Sequence, residues 1–417
     1  MDDAALIAAI EARLLPTPPD KLGVAVSGGG DSMALLALSC KVARAHGISL
    51  YVISVDHGLR SGARDELALV SDFCTLHNLP HQIENWRGWD GAGNLQGVAR
   101  DARYALIHCW AEEIGIGAVL LGHTADDQAE TLMMRLARGA GVDGLSAMAP
   151  RRLRDGIVYV RPLLGITRAE LRTYLTAQGI EWADDPSNDD TRFARVAMRQ
   201  ALAQLEPLGL TARTLADVAQ NMRQAREALD WQSFLAAREV AQVQLGTVRL
   251  DLRQFRTLPA EISRRLLVHA IMWVNGGEYP PRRSAIAALK SAIQEQRTVT
   301  LDGCQVAVSR DAIWVFRELN AVRDTCCEIG DLWDNRWRVC GPEDDPRLHV
   351  GPMGEAALNA QPDWRELGLP RGALLSLPAV WEGSELIVAP VFDAAGGWSV
   401  EVDGGQDAFF AALLSRQ

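Results

Sequence analysis

The sequence is poor in cysteine, and its cysteines are not spaced as a set. Seven cysteines occur in 417 residues, an odd number, and no two of them form a CxxC pair. Disulfide frameworks use an even set, whereas structural zinc sites and iron–sulfur clusters use paired thiolates. The sequence therefore argues against all three kinds of site. A cysteine in an apolar run, such as Cys40, is predicted to be a small buried hydrophobe.

Long apolar runs are also missing. No stretch approaches the roughly 20 consecutive apolar residues of a membrane-spanning helix. The chain begins Met1-Asp2-Asp3, which is acidic where a secretory signal is basic. We therefore expect a soluble cytoplasmic protein. It should have two or three domains, because a domain usually takes about 100–200 residues.

Positive charge is scarce overall but not locally. The formal net charge is −11. Residues 134–172 nevertheless hold eight arginines and three acids, and residues 253–297 hold eight basic residues and three acids. Residues 324–417 hold six arginines and sixteen acids, which accounts for nearly all of the net acidity. Two basic stretches are thus available to nucleic-acid phosphates, although solvated helix faces would show the same pattern.

Strand and helix patterns alternate over the N-terminal part of the chain. Predicted strands lie at Gly23–Ser27, Ser49–Val55, Pro80–Trp86 and Ala118–Gly122. Predicted helices lie at Asp31–His46, Arg64–His77, Gln96–Ile114 and Asp126–Arg138. This alternation is typical of βαβ units, so the predicted fold class is α/β, a doubly wound, Rossmann-like parallel sheet. Ligands bind such sheets at the carboxyl ends of the strands.

The pattern changes near residues 186–188. Helices are predicted at Thr211–Arg238, Ser263–Val274 and Ser284–Glu295, followed by a β-hairpin at Thr298–Phe316 that turns near residues 309–311. From Asp324 the composition is acidic and rich in Trp, Pro and Gly, which fits short strands. We therefore predict three domains: an α/β domain (1–208), a mainly helical domain ending in the hairpin (209–320) and an acidic α+β domain (321–417).

The clearest binding signal lies between the first strand and the first helix of the predicted sheet. It is the run Ser27, Gly28, Gly29, Gly30, Asp31 and Ser32. Successive glycines let the backbone turn tightly and point its N–H groups at an anion, next to the positive end of a helix. Asp31 and Ser32 stand where capping residues are expected. The run differs from GxxxxGK(S/T) and from GxGxxG, and it predicts a phosphate site.

This SGGGDS run resembles the signature of the PP-loop ATP pyrophosphatases, which cleave ATP between the α and β phosphates. The resemblance implies that residues 27–32 hold the pyrophosphate end of ATP and that the substrate is adenylated. It also makes Asp31 a candidate ligand for Mg²⁺, since this hard cation prefers oxygen.

Two further runs narrow the resemblance. Residues 55–60 read VDHGLR, and an NLQ run at 94–96 precedes ARDARY at 99–104. Both are similar to the tRNA(Ile)-lysidine synthases, a branch of the PP-loop enzymes. The resemblance places His57 near the nucleotide. Arg100 and Arg103 are three apart and share a helix face, so they suit a phosphate or a carboxylate.

The run GHTADDQAET at 122–131 follows the last predicted strand and carries His123, Asp126, Asp127 and Glu130. One of the two aspartates is expected to cap the next helix, while Asp127 and Glu130 are three apart and can face one site. Carboxylates there suit Mg²⁺ or an ammonium group. With the glycines at 139, 141 and 144, the run resembles the same family's signature. The resemblance assigns catalytic roles to Asp31, Arg100, Arg103, His123, Asp127 and Glu130.

Arginines that follow these runs are predicted to contact tRNA. They are Arg135, Arg138, Arg192, Arg195 and Arg199. The last three follow an Asp-Pro-Ser-Asn run at 185–188 and match the family pattern, except that Val196 replaces an asparagine. The C-terminal region resembles the family more weakly. There Leu374 replaces an expected arginine, so the last domain is predicted to read shape or to act as a spacer.

The resemblance implies a ligase that uses ATP and Mg²⁺ to join free lysine to C2 of the wobble cytidine of a CAU-anticodon tRNA(Ile), through an adenylated cytidine. Three alternatives stay open: a PP-loop tRNA thiolase, a non-catalytic tRNA-binding protein and a small-molecule amidotransferase. The thiolase would need a cysteine pair, the binding protein would not turn over ATP, and the amidotransferase would need an ammonia source. Both a monomer and a homodimer are compatible with the sequence.

Overall fold

The computed structural model describes residues 2–58, 63–88, 95–184, 194–277, 279–342, 345–392 and 396–414. The chain forms two compact units, Met1–Arg226 and Glu227–Arg416. The division into three domains at 208 and 320 stays a prediction. No helix of the described part is long and apolar enough to cross a membrane. The seven cysteines are all free, and Cys40, Cys74 and Cys304 are buried as apolar side chains.

The N-terminal unit is built on one six-stranded sheet. Its strands are β1 (Lys21–Ala25), β2 (Ser49–Asp56), β3 (His81–Asn85), β4 (Ala118–Leu121), β5 (Arg151–Arg154) and β6 (Ile157–Val160). The order is β3-β2-β1-β4-β6-β5, and all neighbours are parallel except the edge pair β5 and β6. The predicted parallel α/β sheet is therefore confirmed, and it gains two strands that were not predicted: β6, parallel to β4, and the antiparallel edge strand β5.

The helices of this unit cover both faces of the sheet. They are α1 (Asp3–Leu14), α2 (Gly30–His46), α3 (Ala63–His77), α4 (Leu95–Ile114), α5 (Ala125–Leu136), α6 (Val142–Leu145), α7 (Arg168–Gln178) and α8 (Ala194–Leu205). Alternate residues of β1 point to opposite sides, so Val24 packs with α1, α2 and α7, whereas Ala25 packs with α4. Helix α9 (Ala212–Val240) runs from this unit into the next one.

The C-terminal unit mixes helices with three antiparallel sheets. Its first part holds β7 (Ala241–Gln244), β8 (Thr247–Asp251), α10 (Leu252–Thr257), α11 (Ala260–Asn275), α12 (Arg283–Gln294), β9 (Val299–Leu301), β10 (Cys304–Val308), β11 (Ala312–Arg317) and α13 (Leu319–Val322). Its second part holds β12 (Leu332–Trp333), β13 (Trp337–Cys340), β14 (Leu348–Pro352), α14 (Gly354–Asn359), α15 (Arg371–Leu375), β15 (Pro378–Glu382), β16 (Glu385–Val388), β17 (Ser399–Val402) and α16 (Ala408–Leu414).

The expected β-hairpin at 298–316 is part of a larger sheet. Five strands pair in the order β7-β8-β11-β10-β9. The turn near Ser309 is present, but Asp302 and Gly303, both with positive φ, add a second turn that separates β9 from β10. The region is therefore less purely helical than the sequence indicated. Strands β7 and β8 were not predicted, because they are only four and five residues long.

Candidate active site

The Gly-rich loop between β1 and α2 is closed by its own serines. The Oγ of Ser32 donates a hydrogen bond of 2.9 Å to the Gly29 carbonyl and accepts one of 3.1 Å from the Ser27 N–H. Gly28 has a φ of +89°, and a Cβ there would lie 2.6 Å from the Glu66 carbonyl oxygen. Only glycine fits that position, because both the positive φ and the close approach of Glu66 exclude a side chain.

The cap of helix α2 differs from the prediction. Gly29, not Asp31 or Ser32, is the N-cap residue, and it has no side chain to cover the first N–H groups. Asp31 and Ser32 lie in the first turn of the helix instead. The prediction failed because three successive glycines allow the helix to begin one residue earlier. Asp31 is consequently available for a contact outside its own helix.

Arg168, which the sequence analysis overlooked, is that contact. Its Nε donates to Asp31 Oδ2 at 2.8 Å, and its guanidinium lies 3.3 Å from Asp127 and 3.8 Å from Glu130. Its backbone N–H donates to Asp126 at 2.8 Å. One residue at the start of α7 thus contacts four acids, which we call the carboxylate cluster: Asp31, Asp126, Asp127 and Glu130.

Two capping boxes hold this cluster in place. At the start of α5, Asp127 Oδ2 accepts hydrogen bonds from the Thr124 N–H at 2.8 Å and from its hydroxyl at 3.0 Å. At the start of α7, Thr167 and Glu170 form the same arrangement and fix the turn that carries Arg168. The box at Thr167 and Glu170 is the one sequence signal that points to a helix start beside Arg168.

Burial shapes the protonation of the cluster. Glu130 is 1% exposed, and its Oε1 accepts a hydrogen bond of 2.9 Å from Arg199. Burial raises the pKa of Glu130, and the nearby Asp127 adds to the rise while Arg199 and Arg168 oppose it. Burial likewise raises the pKa of Asp31 against the effect of Arg168. Within the described residues, neither Glu130 Oε2 nor Asp31 Oδ1 meets a hydrogen-bond donor.

His123 lies next to the cluster at the end of β4. Burial lowers its pKa, Asp127 opposes that effect, and the arginines at 161, 103 and 100 add to it, so that the pKa is about 3. The side chain is therefore neutral at pH 7. It can accept or donate a hydrogen bond there, but it adds no positive charge.

A cavity of about 880 Å³ brings most of these groups together. The predicted residues that line it are Ser27, Gly29, Gly30, Asp31, Ser32, Arg103, His123, Asp127, Arg195 and Arg199. A second cavity of about 240 Å³ adjoins it, shares Ser27 and Arg103, and is lined by Asp56 and His57. The His57 ring meets Trp86 edge-on at 5.9 Å. Among the described residues, no group of three or more His, Cys, Asp or Glu side chains is arranged to hold a metal ion.

Other predicted residues lie elsewhere. Arg135 donates to the Gly144 and Ala147 carbonyls at 2.8 and 3.0 Å, so it supports the loop after α5. Arg138 is exposed beyond the end of α5. Glu130 stands behind the lining of the larger cavity, and Arg100 is exposed over the ring of Tyr104. Arg192 and the run at 185–188 fall outside the described residues, as do Arg60 and Asn94. Val196 is buried.

The sequence is similar to known proteins over most of its length, not only around the cavity. A family model described as a PP-loop domain matches residues 4–206. A protein named tRNA(Ile)-lysidine synthase in Ruegeria pomeroyi is 50% identical over 412 residues, 99% of this chain and 98% of that protein. Proteins of the same name from a Bradyrhizobium species and from Bradyrhizobium diazoefficiens are 38% and 41% identical over 340 and 310 residues. These cover 75% and 70% of this chain, and 95% and 84% of the relatives. The first similarity runs through both compact units.

Proposed function

The chain belongs to the tRNA(Ile)-lysidine synthases, and from that premise we propose that its larger cavity joins free lysine to the wobble cytidine of a CAU-anticodon tRNA(Ile). The enzyme is an ATP-consuming ligase that modifies tRNA(Ile). In the proposed reaction the cytosine O2 attacks the α-phosphorus of ATP and pyrophosphate leaves. The lysine ε-amine then attacks C2, and AMP leaves with the former O2.

One observation carries the proposal: the Gly-rich loop and three acids of the carboxylate cluster, Asp31, Asp126 and Asp127, line the same cavity. The loop at 27–32 would hold the pyrophosphate end of ATP with its backbone N–H groups and the start of α2. The carboxylate cluster would bind cationic groups. A reaction that needs a polyphosphate and an ammonium group side by side fits this pairing of charges.

Asp31 is the proposed contact for Mg²⁺. The ion usually binds proteins through one or two carboxylates and completes its shell with substrate phosphates and water. Asp31 suits this role because its Oδ1 is buried and, in the described part of the chain, meets no donor. When bound, Mg²⁺ would neutralise charge on the leaving pyrophosphate.

Asp127 and Glu130 are the proposed contacts for the lysine ammonium. The amine must lose a proton before it attacks, although its ordinary pKa is about 10.4. Both oxygens of Asp127 already accept hydrogen bonds, so Asp127 is a fixed charge that can orient the ammonium. Burial raises the pKa of Glu130, which suits this residue to accept the proton.

A small cavity beside Glu130 supports an aliphatic amine as the nucleophile. It has a volume of about 180 Å³, and its polar lining is formed by Asp126, Glu130, Arg199, Glu206 and Thr211. The apolar part is formed by Ala129, Leu202, Ala203, Leu210 and Ala212. Charged groups beside apolar walls suit a molecule with an apolar chain and a charged end.

The remaining assignments concern the nucleotide and the tRNA. His57 is proposed to contact the nucleotide in the smaller of the two adjoining cavities, and Arg138, Arg195 and Arg199 to meet tRNA phosphates. Of the described residues that line these two cavities none is a cysteine, so the thiolase alternative gains no support. The cytoplasmic location and the oligomeric state stay predictions.

The test is incorporation of labelled lysine into an unmodified CAU-anticodon tRNA(Ile) transcript with ATP and Mg²⁺. We expect one lysine per tRNA and none when the wobble cytidine is changed to uridine. If pyrophosphate is released in a tRNA-dependent way but no lysine is incorporated, the proposed nucleophile is wrong.

A further inference from the structure

A group of arginines on α4 and directly after β6 reaches the same cavity through Arg103, and it differs from the arginines around the carboxylate cluster. We call Arg100, Arg103 and Arg161 the arginine cluster; they surround Tyr104. Arg161 follows β6, donates to the Ala149 carbonyl at 2.9 Å and lies 3.4 Å from the Tyr104 hydroxyl. Arg100 lies over the Tyr104 ring at 5.6 Å. Arg103 lines both adjoining cavities.

Arg161 is the unusual member, because its charge is buried and has no acid beside it. It is 3% exposed. Across the described residues it forms no salt bridge, and its buried Nε has no hydrogen-bond acceptor. A buried charge that lacks a counter-ion costs free energy. Binding of an anion near Arg161 would offset this free-energy cost.

The same holds for its two neighbours. In the described part of the chain, Arg100 and Arg103 also have no carboxylate partner, whereas Arg168 and Arg199 across the cavity both contact acids. Arg154 provides a contrast at the same tyrosine. It lies over the Tyr104 ring at 5.0 Å but pairs with Asp101 at 3.5 Å and Asp155 at 3.3 Å.

The positive charge of the three arginines shifts the pKa values of nearby groups. Burial would raise the pKa of the Tyr104 phenol, but Arg161 and Arg100 outweigh burial and hold it below its ordinary value. Burial lowers the pKa of Arg103, and Arg100 lowers it further. A negative charge in this region would relieve the repulsion among the three guanidiniums.

We propose that Arg161 is a positioning residue that, by holding Tyr104 and Ala149, presents Arg103 and Arg100 to an anionic group of a substrate, either a carboxylate or a phosphate. Arg103 contacts the anion from the cavity wall, and Arg161 supplies charge and order from behind it. This inference rests on the proposed function. There, the free lysine carries a carboxylate, and ATP and tRNA carry phosphates.

The experiment compares variants of the full-length enzyme in steady-state lysine incorporation, with the KM measured separately for lysine, ATP and tRNA. Arg103→Gln removes the group that lines the cavity. Arg161→Gln removes the buried charge, Arg161→Lys keeps it, and Tyr104→Phe removes the hydroxyl beside Arg161. Arg154→Gln is the matched control, since that arginine lies on the same ring but is paired with acids.

We expect Arg103→Gln and Arg161→Gln to raise the KM for one substrate about tenfold or more, because a hydrogen bond to a charged group is lost, and to change kcat little. Arg161→Lys should recover part of the effect, and Arg154→Gln should show none. If the lysine KM rises, and the variants no longer prefer lysine over lysinamide, the anion is the carboxylate. If the ATP or tRNA KM rises instead, it is a phosphate.

The inference is overturned if every KM is unchanged in Arg103→Gln and Tyr104→Phe, or if Arg154→Gln shifts the same KM equally. Thermal melting shows whether Arg161→Gln folds; if it does not, Arg103→Gln and Tyr104→Phe decide alone. Calorimetric titration of the wild type and Arg103→Gln with ATP, lysine and tRNA needs no turnover. It therefore tests the arginine cluster even where the wild type incorporates no lysine, an outcome that would contradict only the proposed function.

Discussion

The carboxylate cluster and the arginine cluster reach one cavity, the first through Asp31, Asp126 and Asp127 and the second through Arg103, and they differ in how buried charge is paired. Four acids of the carboxylate cluster are matched by Arg168 and Arg199, and capping boxes fix their oxygens. The arginine cluster has no described acid beside it and is ordered by a tyrosine hydroxyl and a backbone carbonyl. The first pairs its acids with two cations without a substrate, whereas the second has no counter-ion among the described residues.

This difference says which side should control stability and which should control binding. Removing a cation that is paired with buried acids exposes those acids to one another, so the fold is weakened. Removing a cation that has only other cations near it relieves repulsion, so the fold loses less stability and the affinity for an anion falls more. The two sides can therefore be separated by comparing melting with kinetics.

The largest effect is expected for Asp127→Ala. Loss of the acid that orients the lysine ammonium should lower lysine incorporation by a factor of about 10³ or more, since both charge and position are lost. The helix cap it provides is worth only about 1 kcal/mol, so the protein should still fold. Incorporation of labelled lysine and tRNA-dependent release of pyrophosphate are measured together.

Asp127→Asn serves as the matched variant, because it keeps the shape of the cap but not the charge. We expect it to lose incorporation as well, while pyrophosphate release continues in both. Full incorporation by Asp127→Ala would remove this residue from the chemistry and would leave Glu130 as the acid to test.

Arg168→Ala should show the next largest effect, on stability. It leaves Asp31, Asp127 and Glu130 without their shared cation, and we expect the free energy of unfolding to fall by about 3 kcal/mol. Arg172→Ala, one turn later on α7, removes an exposed pair with Asp184 and should cost less than about 1 kcal/mol. Equal losses in urea denaturation would show that Arg168 does not hold the cluster together.

Arg168 also shows which part of the site could not be predicted from the sequence. The Gly-rich loop and the run at 122–131 were predictable, because local spacing alone brings their groups to neighbouring strand ends. Arg168 was not, since its partners Asp31 and Asp127 lie 137 and 41 positions away. The cap at Gly29 was missed because several glycines can start a helix equally well. Strands β5, β6, β7 and β8 were missed because four or five residues carry little periodicity.

The pH dependence of stability tests the surroundings of His123, which lies near the arginine cluster. Its pKa is depressed to about 3 in the folded chain, whereas an exposed histidine titrates near 6.5. Between these values the unfolded state binds the extra proton, so the stability that this residue contributes is present above about pH 6.5 and is lost as the pH falls. At pH 5 the loss relative to pH 7 should be about 2 kcal/mol.

His123→Asn should abolish that part of the pH dependence. Urea denaturation at pH 7, 6 and 5 would compare the variant with the wild type. Parallel loss of stability in both proteins would show that other groups cause the acid sensitivity and that burial and the nearby arginines do not keep His123 neutral.

The smallest effect is expected for Arg195→Gln, and it separates a paired arginine from an unpaired one on the same helix. Arg199 donates to Glu130, whereas Arg195 is exposed and forms no salt bridge within the described residues. If Arg195 contacts a tRNA phosphate, the variant should bind tRNA only slightly more weakly. The slope of log affinity against log salt should then become shallower by about 1. Arg213→Gln, which removes an exposed partner of Glu170, is the control and should leave the slope unchanged. Filter binding over a range of salt concentrations measures both, and identical slopes for Arg195→Gln and the wild type would place the tRNA phosphates elsewhere.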